Sequence, residues 1–327
     1  MTTETTTKFP LARDELRPFL EAFPGFDSGP PPAEGVRLML AAFPPPPMPD
    51  AETVAMSNVE IPGPGGEQLR LLVLRPTKAE GKTLPAVLCA HGGGLIMAPP
   101  ELDLVFYTFL AEQGYLVVSV DYRLAPEHRA PAALEDVHAA FRYVTSAEGA
   151  KRIGGDANKI ALYGSSAGGT LMAGVALRLN QEKGQTQPAV VMLDCPALDD
   201  RMKYPSDAPG NRNEPYHIWT RQNALDSAKH VFGESTKRSV ETAPLSSSTV
   251  EDFKGLGPHY ISWADLDVLA DQAPAYADAL EAAGVECERK EWKGTYHVFM
   301  TLQPQASVSQ KSQQRYLSTL QKHLPLE

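Results

Sequence analysis

The stretch Lys159-Ile160-Ala161-Leu162-Tyr163-Gly164-Ser165-Ser166-Ala167-Gly168-Gly169-Thr170-Leu171-Met172-Ala173 changes character at Gly164. Ahead of it, Lys159–Tyr163 reads as a buried strand. Behind it, small residues open an apolar segment of helical type that can pack closely on a sheet. Between the two stands G-x-S-x-G, the pattern of a sharp strand-to-helix turn that exposes a serine Oγ above a sheet. Glycines are required because the turn brings backbone too close for side chains. Two serines compete for the tip, and spacing separates them. Ser166 has Gly164 two before and Gly168 two after, whereas Ser165 would have Tyr163 and Ala167. Ser166 is the candidate nucleophile.

Upstream, Pro85-Ala86-Val87-Leu88-Cys89-Ala90 is a short apolar run of strand type, followed directly by His91-Gly92-Gly93-Gly94. Attack of a serine on an ester creates an oxyanion that needs two or three fixed N–H donors, each worth about 3–4 kcal/mol when removed. A triple-glycine loop can turn its amides toward one point with no side chain in the way. A lone triple glycine would read as a flexible turn; a strand before it and an elbow downstream favour the oxyanion reading.

Further outward, strands and helices alternate from about Ser57. Leu69–Leu74 follows the turn Pro62-Gly63-Pro64-Gly65-Gly66, and Leu116–Val120 and Ala189–Leu193 are apolar runs of buried parallel-strand type. His259–Trp263 and Val285–Trp292 follow, with Leu269, Ala273, Tyr276, Ala277 and Leu280 on one helical face between them. The pattern predicts an α/β fold with a mostly parallel central sheet and helices on both faces. Two segments break it. Residues 1–52 hold Pro30-Pro31-Pro32 and Pro44-Pro45-Pro46-Pro47 with short helical pieces near Leu11–Leu20 and Gly35–Phe43. They read as a cap segment, because Phe19, Leu20, Phe23, Leu38 and Leu40 are too many apolar groups for a solvated tail. Residues 199–257 are polar, with a helix around Tyr216–Phe232 that carries Trp219, and read as a second cap element over the carboxyl ends of the strands. Residues 53–198 and 258–327 then form the core.

An elbow serine needs a base and an acid, which in this arrangement follow in the order serine, acid, histidine. Of the eight histidines, only His297 and His323 lie late enough. His323 falls in the polar C-terminal tail, on a solvated helix face. His297 stands in Gly294-Thr295-Tyr296-His297-Val298-Phe299, just after the last strand, where the base belongs. His91, His128 and His138 come too early. The acid belongs on the loop after Tyr260–Trp263, near Asp265, Asp267 and Asp271. Asp271 falls inside the next helix, as charge near its N-terminus. Of the other two, Asp267 is better placed, directly after Leu266 and ahead of the helix, although capping is another use for such an aspartate.

Composition excludes several classes. The 327 residues carry a net charge of −10, which argues against a nucleic-acid or anionic-membrane surface. The three cysteines, Cys89, Cys195 and Cys287, have no CxxC spacing and read as free thiols of a reducing compartment. The N-terminus has no apolar signal region, and no apolar run approaches a membrane span. A cytoplasmic protein is expected, with a small-molecule partner, no nucleic acid and no membrane. The sequence leaves room for a homo-oligomer.

His91-Gly92-Gly93-Gly94, Tyr122-Arg123-Leu124-Ala125-Pro126-Glu127-His128 and Gly164-Ser165-Ser166-Ala167-Gly168-Gly169 together resemble the hormone-sensitive-lipase-like carboxylesterases of the α/β-hydrolase superfamily, over about Val54 to Leu320. The resemblance implies that Asp267-Val268-Leu269-Ala270-Asp271 corresponds to the family's D-P-L-x-D stretch and selects Asp267 as the acid. His297, thirty residues later, fits the family's base. It also implies an oxyanion hole from Gly93, Gly94 and the Ala167 amide, with His91 structural. Two positions depart from the pattern: Ser165 stands where the family usually has Asp, and Val268 where it has Pro. The implied activity is hydrolysis of short-chain carboxylic esters by Ser166, His297 and Asp267, with no metal or organic cofactor. Lipase, lactonase or amidase chemistry would use the same groups, and a silent receptor of this fold would be expected to lose the base.

Overall fold

The apolar runs join into a single mixed sheet. The computed structural model describes residues 8–23, 33, 37, 40–41, 44–182, 184–202, 216, 218–235 and 237–326. Its strands are β1 (Val54–Pro62), β2 (Gln68–Pro76), β3 (Leu84–Ala90), β4 (Leu116–Val120), β5 (Gly155–Ser165), β6 (Val191–Asp194), β7 (His259–Ala264) and β8 (Cys287–Trp292). They lie in the order β1-β2-β4-β3-β5-β6-β7-β8. β1 pairs with β2 and β2 with β4 antiparallel; every other pairing is parallel. The apolar runs expected to be buried on both faces are so: every residue of β3, β4, β6 and β7 is buried.

Alternate residues of a strand face opposite ways, and each set meets its own helices. Leu88, Ile160 and Leu162 pack with Phe141 of α3 (Ala132–Val144), Leu171 of α5 (Ala167–Gln181) and Tyr276 of α9 (Gln272–Ala282). α4 (Ala147–Ile153) leads into β5 on that side. Val87, Ala161 and Tyr163 pack with Phe106 and Leu110 of α2 (Leu104–Glu112) and Tyr316 of α11 (Ser307–His323). Each Val, Leu, Ile or Phe among them contributes about 1.5–3 kcal/mol on burial. β5 lies between β3 and β6, so the turn into α5 opens at the carboxyl edge, flanked by the glycine loop after β3.

Several boundaries differ from the sequence expectation for local reasons. The helix foreseen at Leu11–Leu20 is α1 (Arg17–Ala22), because Pro18 fits the first turn of a helix and breaks its interior. The helix foreseen around Tyr216–Phe232 is α6 (Arg221–Phe232), started by a capping box in which Thr220 Oγ1 accepts from Asn223 N at 3.1 Å and Asn223 Oδ1 accepts from Thr220 N at 3.0 Å. The short helices α7 (Pro244–Ser247) and α8 (Val250–Phe253) end that insert. Val285 precedes its strand: Gly284, at φ 80°, ends α9, and Val285 N bonds back to the Leu280 carbonyl. Leu269 likewise stands ahead of α9, packed with Trp219 and Val231.

The N-terminal residues bind the core at several points. Phe9, Ala12, Leu16 and Leu20 are buried in the cluster that holds Tyr296 and Phe299. Arg13 N donates to the Gly294 carbonyl at 2.9 Å, and Phe19 stacks on Tyr296 at 5.8 Å. The Glu15 carboxylate accepts the Ser307 and Val308 amides at the start of α11. The piece foreseen at Gly35–Phe43 falls largely outside the described residues, but its Arg37 donates to the Ile96 carbonyl at 2.6 Å and the Ala125 carbonyl at 2.8 Å.

His259, at the start of β7, is 2% exposed, with Nδ1 2.9 Å from the Gly257 carbonyl oxygen. Burial pushes its pKa down to about 4 from an ordinary 6.5. Between those values the unfolded chain binds the proton and the folded one does not, so stability is lost as pH falls below 6.5. By about pH 5 the linkage from this residue amounts to about 2 kcal/mol. His259→Gln, which retains a donor for Gly257, is expected to lose about that much less between about pH 7 and 5 in denaturant titrations. An unchanged slope would mean that the folded imidazole takes its proton without penalty.

Candidate active site

Ser166 occupies the tip of the β5–α5 turn at φ 51°, ψ −116°, a region that a serine rarely adopts. Its backbone is held from three directions. Ser166 N donates to the Asp194 carbonyl at 2.8 Å, and the Ser166 carbonyl accepts from Gly169 N at 2.9 Å and Ala197 N at 3.0 Å. The two flanking glycines are required by close approach: a Cβ on Gly164 would run into the Gly168 carbonyl, and one on Gly168 into the Ala90 carbonyl. Ser165 points the other way and is fully buried.

Ser166 Oγ lies 2.9 Å from His297 Nε2, and His297 Nδ1 lies 2.6 Å from Asp267 Oδ2. The second Asp267 oxygen accepts the Leu269 amide at 3.0 Å. His297 is 4% exposed and Asp267 1%. In the neutral imidazole the Nδ1 proton faces the carboxylate, and Nε2 is left to accept from the serine.

The neighbouring carboxylates do different things. Asp265 Oδ1 accepts the Gly294 amide at 2.7 Å and the Thr295 amide at 3.3 Å, so it ties the loop that carries His297. Burial raises its pKa, with those two amides pulling the other way. Asp271 stands one residue ahead of α9, at its N-cap position, and not inside the helix as expected. His323 ends α11, 3.9 Å from Glu286, and His138 meets Glu182 at 3.1 Å; both lie away from Ser166.

The loop after β3 runs beside the serine: a Cβ on Gly92 would lie 3.3 Å from Ser166 Cβ. Gly93 at φ 114° and Gly94 at φ 62° are in the left-handed half of conformational space, which explains the glycines. The Gly93 carbonyl accepts the Ile96 and Met97 amides, both at 3.1 Å, and across the trans peptide this turns the Gly94 N–H to the opposite side. His91 does the same one peptide earlier. Its Nδ1 lies 2.7 Å from the Gly92 carbonyl oxygen, and burial pushes its pKa down to about 4, so the ring is neutral. With Nδ1–H donating to Gly92, the Gly93 N–H faces away from that carbonyl. Tyr122 stacks on the imidazole at 4.2 Å and donates to the His91 carbonyl at 2.8 Å. The Ala167 amide opens α5, where first-turn N–H groups have no helical acceptor.

Sequence reasoning missed two buried acids behind this layer. Asp194, at the end of β6, accepts from Ser262 Oγ at 2.9 Å and Tyr316 Oη at 3.1 Å, and burial raises its pKa to about 6. Asp103, just before α2, accepts from Thr301 Oγ1 of α10 (Phe299–Leu302), and burial raises it to about 6 as well. The Ser165 hydroxyl faces Asp103, so the buried carboxylate near Ser165 comes from a distant segment. A single Asp in an apolar stretch carries no signal for such a role, although Asp194 ends an apolar strand.

Among the described residues, one group of His, Cys, Asp and Glu side chains is close enough for a metal: Cys195, Asp267 and His297, with ligand atoms within 4.8 Å of one another. His297 Nδ1 and Asp267 Oδ2 are already joined at 2.6 Å, so an ion would have to replace the proton between them. A cleft of about 70 Å³ opens at Ser166 and Ala167, walled by Gly94, Met202, Trp219, Val231 and Leu269. A larger cleft of about 790 Å³, at Thr53, Pro76 and Leu326, touches none of these residues.

Comparisons with known proteins match the chain to one fold family. Residues 87–301 match a family model described as alpha/beta hydrolase fold. The chain is 34% identical over 259 residues to "Esterase LipI" of Mycobacterium tuberculosis, covering 78% of this chain and 77% of that protein. In structure it is similar to a thermostable esterase from Pseudomonas putida, with a TM-score of 0.85, 26% identity and coverage of 97% of this chain and 99% of that one. It is also similar to a bacterial heroin esterase, with a TM-score of 0.82, 30% identity and the same coverage.

Proposed function

Since this chain belongs to the hormone-sensitive-lipase-like branch of the α/β-hydrolase family and is a carboxylic ester hydrolase, we propose that it cleaves short-chain esters through an acyl-enzyme on Ser166. The observation that carries this reading is the unbroken hydrogen-bonded line from Ser166 Oγ through His297 to Asp267. Ser166 Oγ attacks the ester carbonyl carbon while His297 Nε2 takes its proton. Asp267 holds the ring in the tautomer that accepts at Nε2 and stabilises the imidazolium that forms. The oxyanion is received by the amides of Gly93, Gly94 and Ala167, which His91 and the Gly93 turn hold in place. His297 then passes the proton to the leaving alcohol. A water, deprotonated by the same nitrogen, releases the acid and restores the serine. No metal or organic cofactor enters these steps.

The small cleft beside Ser166 supports a short acyl group. Among the described residues of the two cap segments, 1–52 and 199–257, Arg13 of the first bonds the loop that carries His297 and Trp219 of the second walls the cleft. The free thiols Cys89, Cys195 and Cys287 support a reducing, cytoplasmic setting. The test is a panel of p-nitrophenyl esters from acetate to palmitate. kcat/KM is expected to be highest for the shortest acyl chains and to fall as the chain outgrows the cleft. Trp219→Ala, by opening one wall, is expected to move the preference toward longer chains by about tenfold in the ratio of kcat/KM, the scale of one or two methylenes. A profile that rises toward palmitate, or one indifferent to Trp219, would place the acyl group elsewhere.

A further inference from the structure

Gly94 differs from Gly93 in where its restraint comes from. The Gly93 carbonyl is held within its own loop by the Ile96 and Met97 amides. The Gly94 carbonyl instead accepts a hydrogen bond from Ser227 Oγ, on α6 of the insert, 133 residues away. The fit is close: a Cβ on Gly94 would lie 2.9 Å from Trp219 Cζ2 and 3.0 Å from Ser227 Oγ. Ser227 is 7% exposed and faces the same cleft as Ser166. The Gly94 N–H belongs to the peptide whose Gly93 carbonyl is already held, and Ser227 holds the following peptide, Gly94–Leu95; glycine turns freely about the Cα between two such peptides unless both are fixed.

We propose that Ser227 is a positioning residue for the reaction: its hydroxyl holds the Gly94–Leu95 peptide and, with the Gly93 carbonyl held on the other side, fixes the Gly94 Cα and so keeps the Gly94 N–H in place for the oxyanion. The helix that walls the cleft and the donor that stabilises the transition state then form one device. This rests on the oxyanion role proposed for Gly94.

The test compares wild type with Ser227→Ala. Alanine is smaller and favours helix, so the variant retains its fold, which a thermal melt checks. Loss of one hydrogen bond is expected to lower kcat for p-nitrophenyl acetate by about three- to tenfold, with KM within about twofold of wild type. A trifluoromethyl ketone, whose adduct with the serine carries an oxyanion, should bind the variant more weakly by the same factor. The acid product, which makes no such oxyanion, should bind both proteins alike. Ser227→Thr keeps the hydroxyl and is expected to restore most of kcat. A kcat and a ketone affinity both unchanged in Ser227→Ala would overturn the proposal, as would a loss confined to KM, which would make Ser227 cap packing alone. A wild type that forms no ketone adduct by fluorine NMR would instead overturn the serine-esterase reading beneath it.

Discussion

Ser166→Ala is expected to lower kcat on p-nitrophenyl acetate by about four to six orders of magnitude, because the nucleophile of a triad cannot be replaced by its remaining members. Binding need not suffer, so KM should move little. Ser165→Ala is the control: its hydroxyl is fully buried beneath the turn, facing Asp103, and cannot reach an ester above the sheet. Its removal is expected to change kcat by less than about tenfold, the scale of one buried hydrogen bond. Measured side by side, a large loss in the Ser165 variant with an active Ser166 variant would reverse the assignment.

The second large effect belongs to the carboxylate. Asp267→Asn should retain the fold, since the amide oxygen can still accept from Leu269. Its NH₂ group would face His297 Nδ1, however, and hold the ring in the tautomer that carries its proton at Nε2, where the serine must deliver one. The expected loss in kcat is on the order of 10⁴, as in other triads. Asp265→Asn removes charge from a carboxylate that accepts the Gly294 and Thr295 amides, at 2.7 and 3.3 Å. The asparagine oxygen can take over those bonds, so kcat should fall by less than about tenfold. Comparing kcat for the two variants, with melting temperatures as a check on folding, decides between them. A greater loss at position 265 would mean that the imidazole is governed through its loop and not through Asp267.

What could be read from the chain alone depended on how local the constraint is. A strand that turns sharply into a helix demands glycine on both sides of one residue, and that demand is written within five positions. Ser166 and the glycine loop were therefore legible, and the parallel sheet followed from apolar runs with no polar face. The apolar spacing over Leu11–Leu20 does not mark the start of α1, which Pro18 sets as a stereochemical stop. Asp271, expected inside a helix, stands one residue ahead of its start at Gln272.

Position alone favoured Asp267 over Asp265 without deciding between them. Both follow β7, and only the direction of each side chain separates the one that meets His297 from the one that ties its loop. Those directions depend on where the Gly294–Phe299 loop lies, a matter of tertiary packing.

The sequence by itself determined the sheet, the elbow and the serine at its tip, because backbone geometry there restricts residue type within a few positions. Chain order already pointed to His297 as the base; only the tertiary structure decided the partners that no such order marks. Thr301 meets Asp103 across 198 positions and Ser227 meets Gly94 across 133. Each of these is a single ordinary side chain whose role comes from what the fold brings against it. A hydroxyl or carboxylate has no local backbone requirement that would mark it in advance.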